Sequence, residues 1–251
     1  MDLGHFETSL AVKDIAQSLD FYQKLGFGLV DGGVDIRNVT VELGDCRLGL
    51  YQGYLEPART QLIFWQGDIE AIAADLADKG IVFEKGPTRD QNGAGFHLRD
   101  PDDHPLHFIN LPVFFYNQPG HEREAPPYQP PRPAAPDLRL GHFELSLVVR
   151  DVGRAHDFYR KLGFELAQTN DQGRSVTLRS GDCRLGLFQD VLDPAETQLI
   201  FYQGEVEAAV RDLAAKGVSL ERPFLTDGNG GLGAHFRDPD GHAIYLNYEP
   251  A

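Results

Sequence analysis

The chain has 251 residues, of which 41% are apolar and 24% are charged, a globular composition that argues against a disordered or fibrous protein. Its 23 lysines and arginines against 38 aspartates and glutamates give a formal net charge of −15. That charge argues against nucleic-acid binding and against docking on anionic membranes, and it would attract cationic ligands. With no apolar run of transmembrane length, no signal-peptide pattern and only two cysteines, the sequence predicts a cytoplasmic protein.

A sequence repeat predicts the domain organisation. GDCRLGL at residues 44–50 recurs unchanged at 181–187, which is 137 residues later, and RDPD at 99–102 recurs at 237–240, which is 138 residues later. Between the copies lies a segment with seven prolines, which favours an extended polyproline II connector. We therefore predict two domains that associate as an internal pseudo-dimer. The predicted boundaries are residues 1–116 for the first domain, 117–137 for the Pro-rich linker and 138–251 for the second domain.

Each copy shows the element order βαβββ twice. In the first copy, alternating apolar residues predict a strand over 6–12, and Asp14 then caps a helix that ends at Gly26. A second helix is predicted between Asp68 and Gly80. The remaining predicted strands of this copy lie near residues 27–31, 38–43, 47–52, 61–65, 81–84, 95–99 and 106–110. The second copy repeats this order over residues 143–247.

Several phrases in these elements resemble the vicinal oxygen chelate superfamily, which groups glyoxalase I, extradiol dioxygenases and bleomycin-resistance proteins. They are SLAVKD at 9–14, FYQKLGF at 21–27 and RDPDGH at 237–242. The resemblance covers nearly the whole chain outside the linker. It implies an α+β fold of two glyoxalase-like domains, in which two βαβββ units form an incomplete barrel around a cleft. Catalytic members of the family hold a divalent metal in that cleft, where it chelates vicinal oxygens of the substrate.

The resemblance also indicates where metal ligands would lie, because family members take them from the first and last strands of each unit. In the first copy these positions are Glu7, Gln61 and His107. In the second copy they are Glu144, Gln198 and Tyr245. A non-haem iron site prefers two histidines and one carboxylate, a set that neither copy provides. A divalent metal ion on Glu7, Gln61 and His107 remains open, and the second copy is the weaker candidate because it has no histidine there.

Strand alternation suggests a competing role for the two glutamates. It places Arg47 and Arg184 on the cleft side, where each could pair with Glu7 or Glu144 while Gln61 or Gln198 completes the hydrogen bonding. The same alternation turns further side chains toward the clefts, namely Ser9, Tyr51 and Trp65 in the first copy and Ser146, Phe188 and Tyr202 in the second. Aromatic rings over a carboxylate suit a flat organic or cationic ligand, although the same rings would also fill a half-open barrel.

Other repeated residues are interpreted as structural. We predict that His97 and His235 are hydrogen-bonded strand residues rather than acid–base groups, and that His5 and His142 mark the entry of their strands. Cys46 and Cys183 are predicted to be packed small side chains, because a reactive thiol needs an open and electropositive setting.

Two functions remain open, so whether the protein is an enzyme stays undecided here. The first is a binding protein of the bleomycin-resistance type, which takes up a small oxygenated or cationic organic ligand without a complete family metal site. The alternative is a divalent-metal-dependent lyase, isomerase or dioxygenase. In that case Glu7, Gln61 and His107 would hold the ion, which would act as a Lewis acid on the substrate oxygens.

Overall fold

The computed structural model of the chain describes residues 2–55, 60–90, 93–110, 140–192, 197–226 and 230–250. Within them, each half of the chain builds one open eight-stranded sheet from two βαβββ units, which confirms the predicted α+β class and the duplicated architecture. The predicted linker, 117–137, lies outside the described residues. We propose the predicted domain boundaries because the two described halves end and begin on either side of that segment. No helix in the described ranges is long and apolar enough to cross a membrane.

The first half contains eight strands and two helices. Its first unit comprises β1 (Gly4–Val12), α1 (Ile15–Lys24), β2 (Gly28–Gly33), β3 (Asn38–Leu43) and β4 (Cys46–Gln52). Its second unit comprises β5 (Gln61–Gln66), α2 (Ile69–Asp78), β6 (Lys85–Asp90), β7 (Gly93–Arg99) and β8 (Pro105–Asn110). The strand order is β2-β3-β4-β1-β5-β8-β7-β6. Strands β1 and β5 pair antiparallel at the centre, so they join the two units into one sheet.

The second half repeats this arrangement. Its first unit comprises β9 (Gly141–Val148), α3 (Val152–Lys161), β10 (Glu165–Asn170), β11 (Ser175–Ser180) and β12 (Cys183–Phe188). Its second unit comprises β13 (Gln198–Gln203), α4 (Val206–Ala215), β14 (Leu220–Thr226), β15 (Leu232–Arg237) and β16 (Ala243–Tyr248). The strand order, β10-β11-β12-β9-β13-β16-β15-β14, matches that of the first half position by position.

One predicted strand, over residues 81–84, is wrong. Gly80 adopts a φ of +72°, and the backbone N–H of Ile81 donates to the carbonyl of Leu76 at 2.9 Å, so this segment closes the C-terminus of α2. Ile81 is buried against the helix end, while Val82 is 82% exposed. The strand itself starts at Lys85. Ile81 therefore closes the helix end and Phe83 packs on Phe96, while the segment forms no strand.

The two halves share one hydrophobic core. Buried apolar residues of both halves belong to a single cluster, and aromatic rings meet across the boundary. Phe64 lies 6.3 Å from Phe164 between ring centroids, and Phe27 lies 6.4 Å from Phe201. The predicted association of the two halves therefore rests on apolar packing as well as on polar contacts.

Two buried polar contacts between the halves form an equivalent pair. The Tyr22 hydroxyl donates to Asp238 at 2.9 Å, and the Tyr159 hydroxyl of the second half donates to Asp100 at 3.0 Å. All four of these side chains are at most 5% exposed. Each half thus contributes the same donor and the same acceptor, as expected of a pseudo-two-fold interface.

Candidate functional site

One face of the first sheet carries a row of side chains set by strand register. Glu7 is paired with Ile63, Ile63 with His107, and His107 with His97. Directly paired residues project to the same face, so all four side chains belong to the cleft. Neighbouring strands lie about 4.8 Å apart, so two strand spacings put roughly 10 Å between the backbones of Glu7 and His107. The sheet therefore divides the cleft into a glutamate side and a histidine side.

On the glutamate side, Glu7 is enclosed by donors. It is 2% exposed, and its Oε1 atom accepts hydrogen bonds from the Tyr51 hydroxyl at 2.8 Å and the Ser9 hydroxyl at 3.0 Å. Its Oε2 atom accepts from the Thr40 hydroxyl at 3.3 Å and lies 3.6 Å from Nε of Arg47. Both carboxylate oxygens are engaged, as a buried carboxylate requires. Ser9, Arg47 and Tyr51 lie on the cleft side, where alternation predicted them.

The Glu7 carboxylate lies directly over Gly49 of strand β4. A Cβ atom at this position would stand 2.2 Å from Oε1 of Glu7 and 2.5 Å from a ring carbon of Tyr51. Gly186 has the same relation to Glu144 and Phe188 in the second half. Glycine is therefore needed at this strand position because the carboxylate of the chain itself fills the space above it.

The second half builds the same network with one exchange. Glu144 is 1% exposed and accepts from Thr177 at 2.9 Å, from Nε of Arg184 at 3.2 Å and from Ser146 at 3.5 Å. The Tyr202 hydroxyl is a further donor to this carboxylate. Burial raises the pKa of Glu144, although its hydrogen bonds with Thr177 and Arg184 act in the opposite direction.

The two halves differ in the strand that carries the tyrosine donor. In the first half, Tyr51 on β4 donates to the carboxylate and Trp65 occupies β5. In the second half, Phe188 on β12 has no hydroxyl, and Tyr202 on β13 donates instead. A tyrosine hydroxyl therefore reaches the buried glutamate in both halves, but from opposite neighbours of the central strand.

On the histidine side of the first half there is a cavity of about 420 Å³. Its polar lining consists of Gln61, Glu84, Lys85, His97, Arg99 and His107, and Tyr54 and Pro105 add apolar wall. Gln61 is 6% exposed, and its Oε1 atom is buried without a hydrogen-bond partner among the described residues. The predicted contribution of Gln61 to the Glu7 network is not observed, because the structure has no hydrogen bond between these two residues. The equivalent Gln198 is 9% exposed and pairs with Ser146 in the sheet.

His97 and His107 stack face to face in this cavity. Their ring centroids are 3.9 Å apart and their planes differ by 7°. Burial, together with the nearby His97 and Arg99, lowers the pKa of His107 to about 4. Burial and Lys85 lower the pKa of His97 as well. Both rings are therefore neutral at pH 7, and each can offer a donor and an acceptor.

In the second half the equivalent rings of His235 and Tyr245 meet edge to face, with centroids 6.3 Å apart and planes at 63°. Tyr245 replaces His107, and its hydroxyl lies 2.3 Å from the point where a Cβ on Gly233 would stand, so the phenol ring crosses the neighbouring strand. Nδ1 of His235 lies 3.0 Å from Glu221, in agreement with the predicted hydrogen-bonded strand histidine. His97 also lies in a strand, β7, and its ring stacks on another histidine.

The other repeated histidines and the two cysteines lie in packed or paired surroundings. His5 is buried, and burial followed by the charge of Arg47 lowers its pKa to about 4. His142 lies 3.6 Å from Asp45 of the other half. Cys46 and Cys183 are free and buried, and burial raises the pKa of both thiols, as expected for packed small side chains.

The predicted metal set was Glu7, Gln61 and His107, and its geometry does not favour an ion. Glu7 is saturated by neighbouring donors and lies on the opposite side of Ile63 from His107. The described residues contain no group of three or more histidine, cysteine or acidic side chains close enough to hold an ion. Gln61 and His107 do share the cavity, so only part of the set comes together.

Solved structures with this fold include several enzymes. An extradiol ring-cleaving dioxygenase from Brevibacterium fuscum matches 100% of this chain and 73% of its own, with 18% identity and a TM-score of 0.61. The 2,3-dioxygenase LapB from Pseudomonas sp. KL28 matches 99% and 92%, with 15% identity and a TM-score of 0.60. A Mn(II)-bound glyoxalase from Novosphingobium aromaticivorans matches 97% and 81%, with 15% identity and a TM-score of 0.59. At these identities the likeness establishes the fold alone.

The sequence comparison agrees with the structural one. A search of curated proteins found no match. The profile described as Glyoxalase/Bleomycin resistance protein/Dioxygenase superfamily matches residues 2–108 and 139–246, which are the two repeated halves. The chain is therefore a tandem member of the Glyoxalase/Bleomycin resistance protein/Dioxygenase superfamily.

Proposed function

We propose that this protein binds a small oxygenated organic molecule in the cavity of its first half, without a metal ion at the predicted family position. The observation that carries the proposal is at Gln61, which lines this cavity and whose Oε1 atom is buried with no partner among the described residues. An unsatisfied buried acceptor costs about 1–3 kcal/mol. A ligand hydroxyl or N–H group that donates to Gln61 would remove that cost on binding.

The charges around the cavity favour a neutral or anionic ligand over a cationic one. The two stacked histidines are neutral at pH 7. Arg99 is held by Glu84 at 2.9 Å, whereas Lys85 forms no ion pair with a described residue. The overall charge of −15 attracts cations at long range, but screening limits its effect beyond about 8–10 Å. Of the two predicted ligand types, the oxygenated one therefore fits this cavity better.

The buried glutamates have a different role in this proposal. Each of them accepts hydrogen bonds from hydroxyl groups and lies beside an arginine, and glycine leaves room for it on the adjacent strand. They stabilise the sheet centre and shape the cleft, while the ligand contacts the histidine side. The free, buried cysteines fit a reducing environment, so we keep the proposal of a cytoplasmic protein.

A divalent-metal-dependent lyase, isomerase or dioxygenase is the second candidate. In its favour, Gln61 and His107 line one cavity, and the fold is shared with a Mn(II)-bound glyoxalase and with extradiol dioxygenases. Such a site would need Glu7 to leave its three hydroxyl donors and the nearby Arg47, which is why we rank it second.

A thermal-shift screen of neutral and anionic oxygenated metabolites tests the proposal. A ligand at 100 times its Kd stabilises the folded chain by about 2.7 kcal/mol, which corresponds to roughly 5–10 °C in Tm for a chain of this size. We expect Gln61→Leu to abolish the shift. Gln198→Leu, the same change in the second half, should retain it.

Two outcomes would contradict the proposal. One is a set of shifts that are equal in wild type and Gln61→Leu, because the ligand would then bind elsewhere. The other is a shift that occurs only after Mn²⁺ or Fe²⁺ is added, which would support the metal-dependent alternative.

A further inference from the structure

The turn between β7 and β8 lies beside the cavity of the first half and also contacts the second half. Arg99 and Pro105, which flank it, line the cavity of the first half. Asp100, inside the turn, is 5% exposed and accepts from the backbone N–H groups of Asp102 at 2.8 Å and His104 at 2.9 Å. Nδ1 of His104 lies 2.8 Å from Oδ2 of Asp100. The carboxylate of Asp100 therefore fixes the shape of the turn.

Two residues of the second half hold this turn from outside. The Tyr159 hydroxyl donates to Oδ2 of Asp100 at 3.0 Å, and its side chain is fully buried. Arg150 contacts Asp102 through Nε at 2.7 Å, and its Nη2 atom donates to the carbonyl of Pro101, also at 2.7 Å. The turn is thus held by helix α3 and by the segment that precedes this helix in the other half.

The β7–β8 turn also orients side chains that line the cavity. Nη1 of Arg99 donates to the carbonyl of Asp103 at 3.1 Å, so the guanidinium group that faces the cavity is tied to the turn backbone. Arg99 pairs with Pro105 in the sheet, and two residues further along the same ladder His97 pairs with His107. We therefore expect a change in the turn to be transmitted along this ladder to the orientation of the stacked rings.

We propose that Tyr159 and Arg150 are positioning residues for the cavity of the first half, so that the second half completes the ligand site without touching the ligand. The inference rests on the proposed function only in treating the cavity as a ligand site. The geometric claim itself concerns the turn and the histidine stack, and it can be measured with no ligand present.

The chain supplies a matched control. Tyr22 donates to Asp238 at 2.9 Å, and Asp238 accepts from the backbone N–H groups of Asp240 and His242 just as Asp100 does in the first half. Tyr22→Phe and Tyr159→Phe each remove one buried hydroxyl that donates to an equivalent carboxylate. Only Tyr159→Phe acts on the turn beside the cavity.

The test is NMR on the full chain at pH 7.5, reading the imidazole signals of His97 and His107 and the exchange rates of the turn amides. In Tyr159→Phe we expect both imidazole signals to move and the amides of Asp102 and His104 to exchange at least tenfold faster. A hydrogen bond to a charged group contributes about 1.5–3 kcal/mol, which is tenfold or more in an equilibrium. In Tyr22→Phe these readouts should keep their wild-type values.

Equal effects of the two tyrosine variants on the first half, or unmoved histidine signals in both, would overturn the inference. If Tyr159→Phe does not fold, Arg150→Ala is compared with Lys13→Ala, which lies at the equivalent position and contacts Asp240 through its backbone N–H. Moved histidine signals in Arg150→Ala alone support the inference, and unmoved signals refute it. A ligand screen without hits would count against the proposed function but would leave this result intact.

Discussion

Removal of the Tyr51 hydroxyl tests the account of the buried glutamate network most directly. Tyr51→Phe deletes the shortest hydrogen bond to Glu7, at 2.8 Å, from a carboxylate that is 2% exposed. Because the acceptor is charged and buried, we expect a loss of about 1.5–3 kcal/mol in the free energy of unfolding. For a chain of this length that is roughly 3–12 °C in Tm.

The second half indicates how the loss can be repaired. There the hydroxyl comes from Tyr202, at the position that Trp65 holds in the first half. The double variant Tyr51→Phe/Trp65→Tyr copies that arrangement and should regain hydroxyl donation to Glu7. In a double-mutant cycle measured by urea unfolding, the two changes should therefore be non-additive, with a favourable coupling of about 1 kcal/mol or more.

Two results would refute this reasoning. If Tyr51→Phe lies within about 0.5 kcal/mol of wild type, as surface substitutions usually do, the hydroxyl does not stabilise the carboxylate. If the two changes add without coupling, the exchange of tyrosine between strands is not a functional replacement. Tyr54→Phe, in which the lost hydroxyl is exposed, provides the control for general effects of the substitution.

Three further predictions follow from the same structure. Burial raises the pKa of Glu144 in the folded chain above its value in the unfolded chain. Lowering the pH through the window just above 4.5 should therefore increase the free energy of urea unfolding of the wild type relative to Glu144→Gln. A difference between the two proteins that does not change with pH would contradict this. Gly49→Ala should cost about 1–3 kcal/mol because its Cβ would overlap Glu7, whereas Gly86→Ala, with open space around its Cβ, should be nearly neutral in the same assay. Equilibrium dialysis with Mn²⁺ should show no stoichiometric binding to wild type, because Glu7 is already saturated, and one tightly held ion per chain would reverse our ranking of the two functions.

Most of the fold follows from local sequence signals. The helix start predicted at Asp14 is confirmed because a cap depends on the few residues beside it. Asp151 caps the equivalent helix, as the repeat of about 137 residues implies. The strand expected at 81–84 failed for the opposite reason. Its first apolar residue, Ile81, closes a helix end, and the pattern alone does not distinguish such a cap from the start of a short buried strand.

The part of the candidate site that depends only on side-chain alternation along single strands was predicted from the sequence. Glu7, Arg47 and Tyr51 face the same cleft, as period-two alternation requires. The stack of His97 on His107 was missed because it depends on the register between two strands. A signal was present in the sequence, since these histidines lie at equal distances from the centre of the β7–β8 turn.

The contact between two of the family phrases was also not predicted from the sequence. Tyr22 lies in FYQKLGF and Asp238 in RDPDGH, and 216 residues separate them in the chain. Nothing local indicates that the hydroxyl of one would meet the carboxylate of the other. The recurrence of both residues in each copy is the only trace of this contact that the sequence contains.

The equivalent pairs at the boundary make the interface isologous within a single chain. The surface that one half presents to its neighbour carries both donor and acceptor, so it is equally complementary to the neighbouring half of another molecule. Association within a chain is favoured only through the high effective concentration that a covalent tether provides. At high protein concentration, or after refolding from denaturant, reciprocal exchange of halves between two chains is therefore expected, and the exchanged dimer would preserve every contact of the monomer outside the connecting segment.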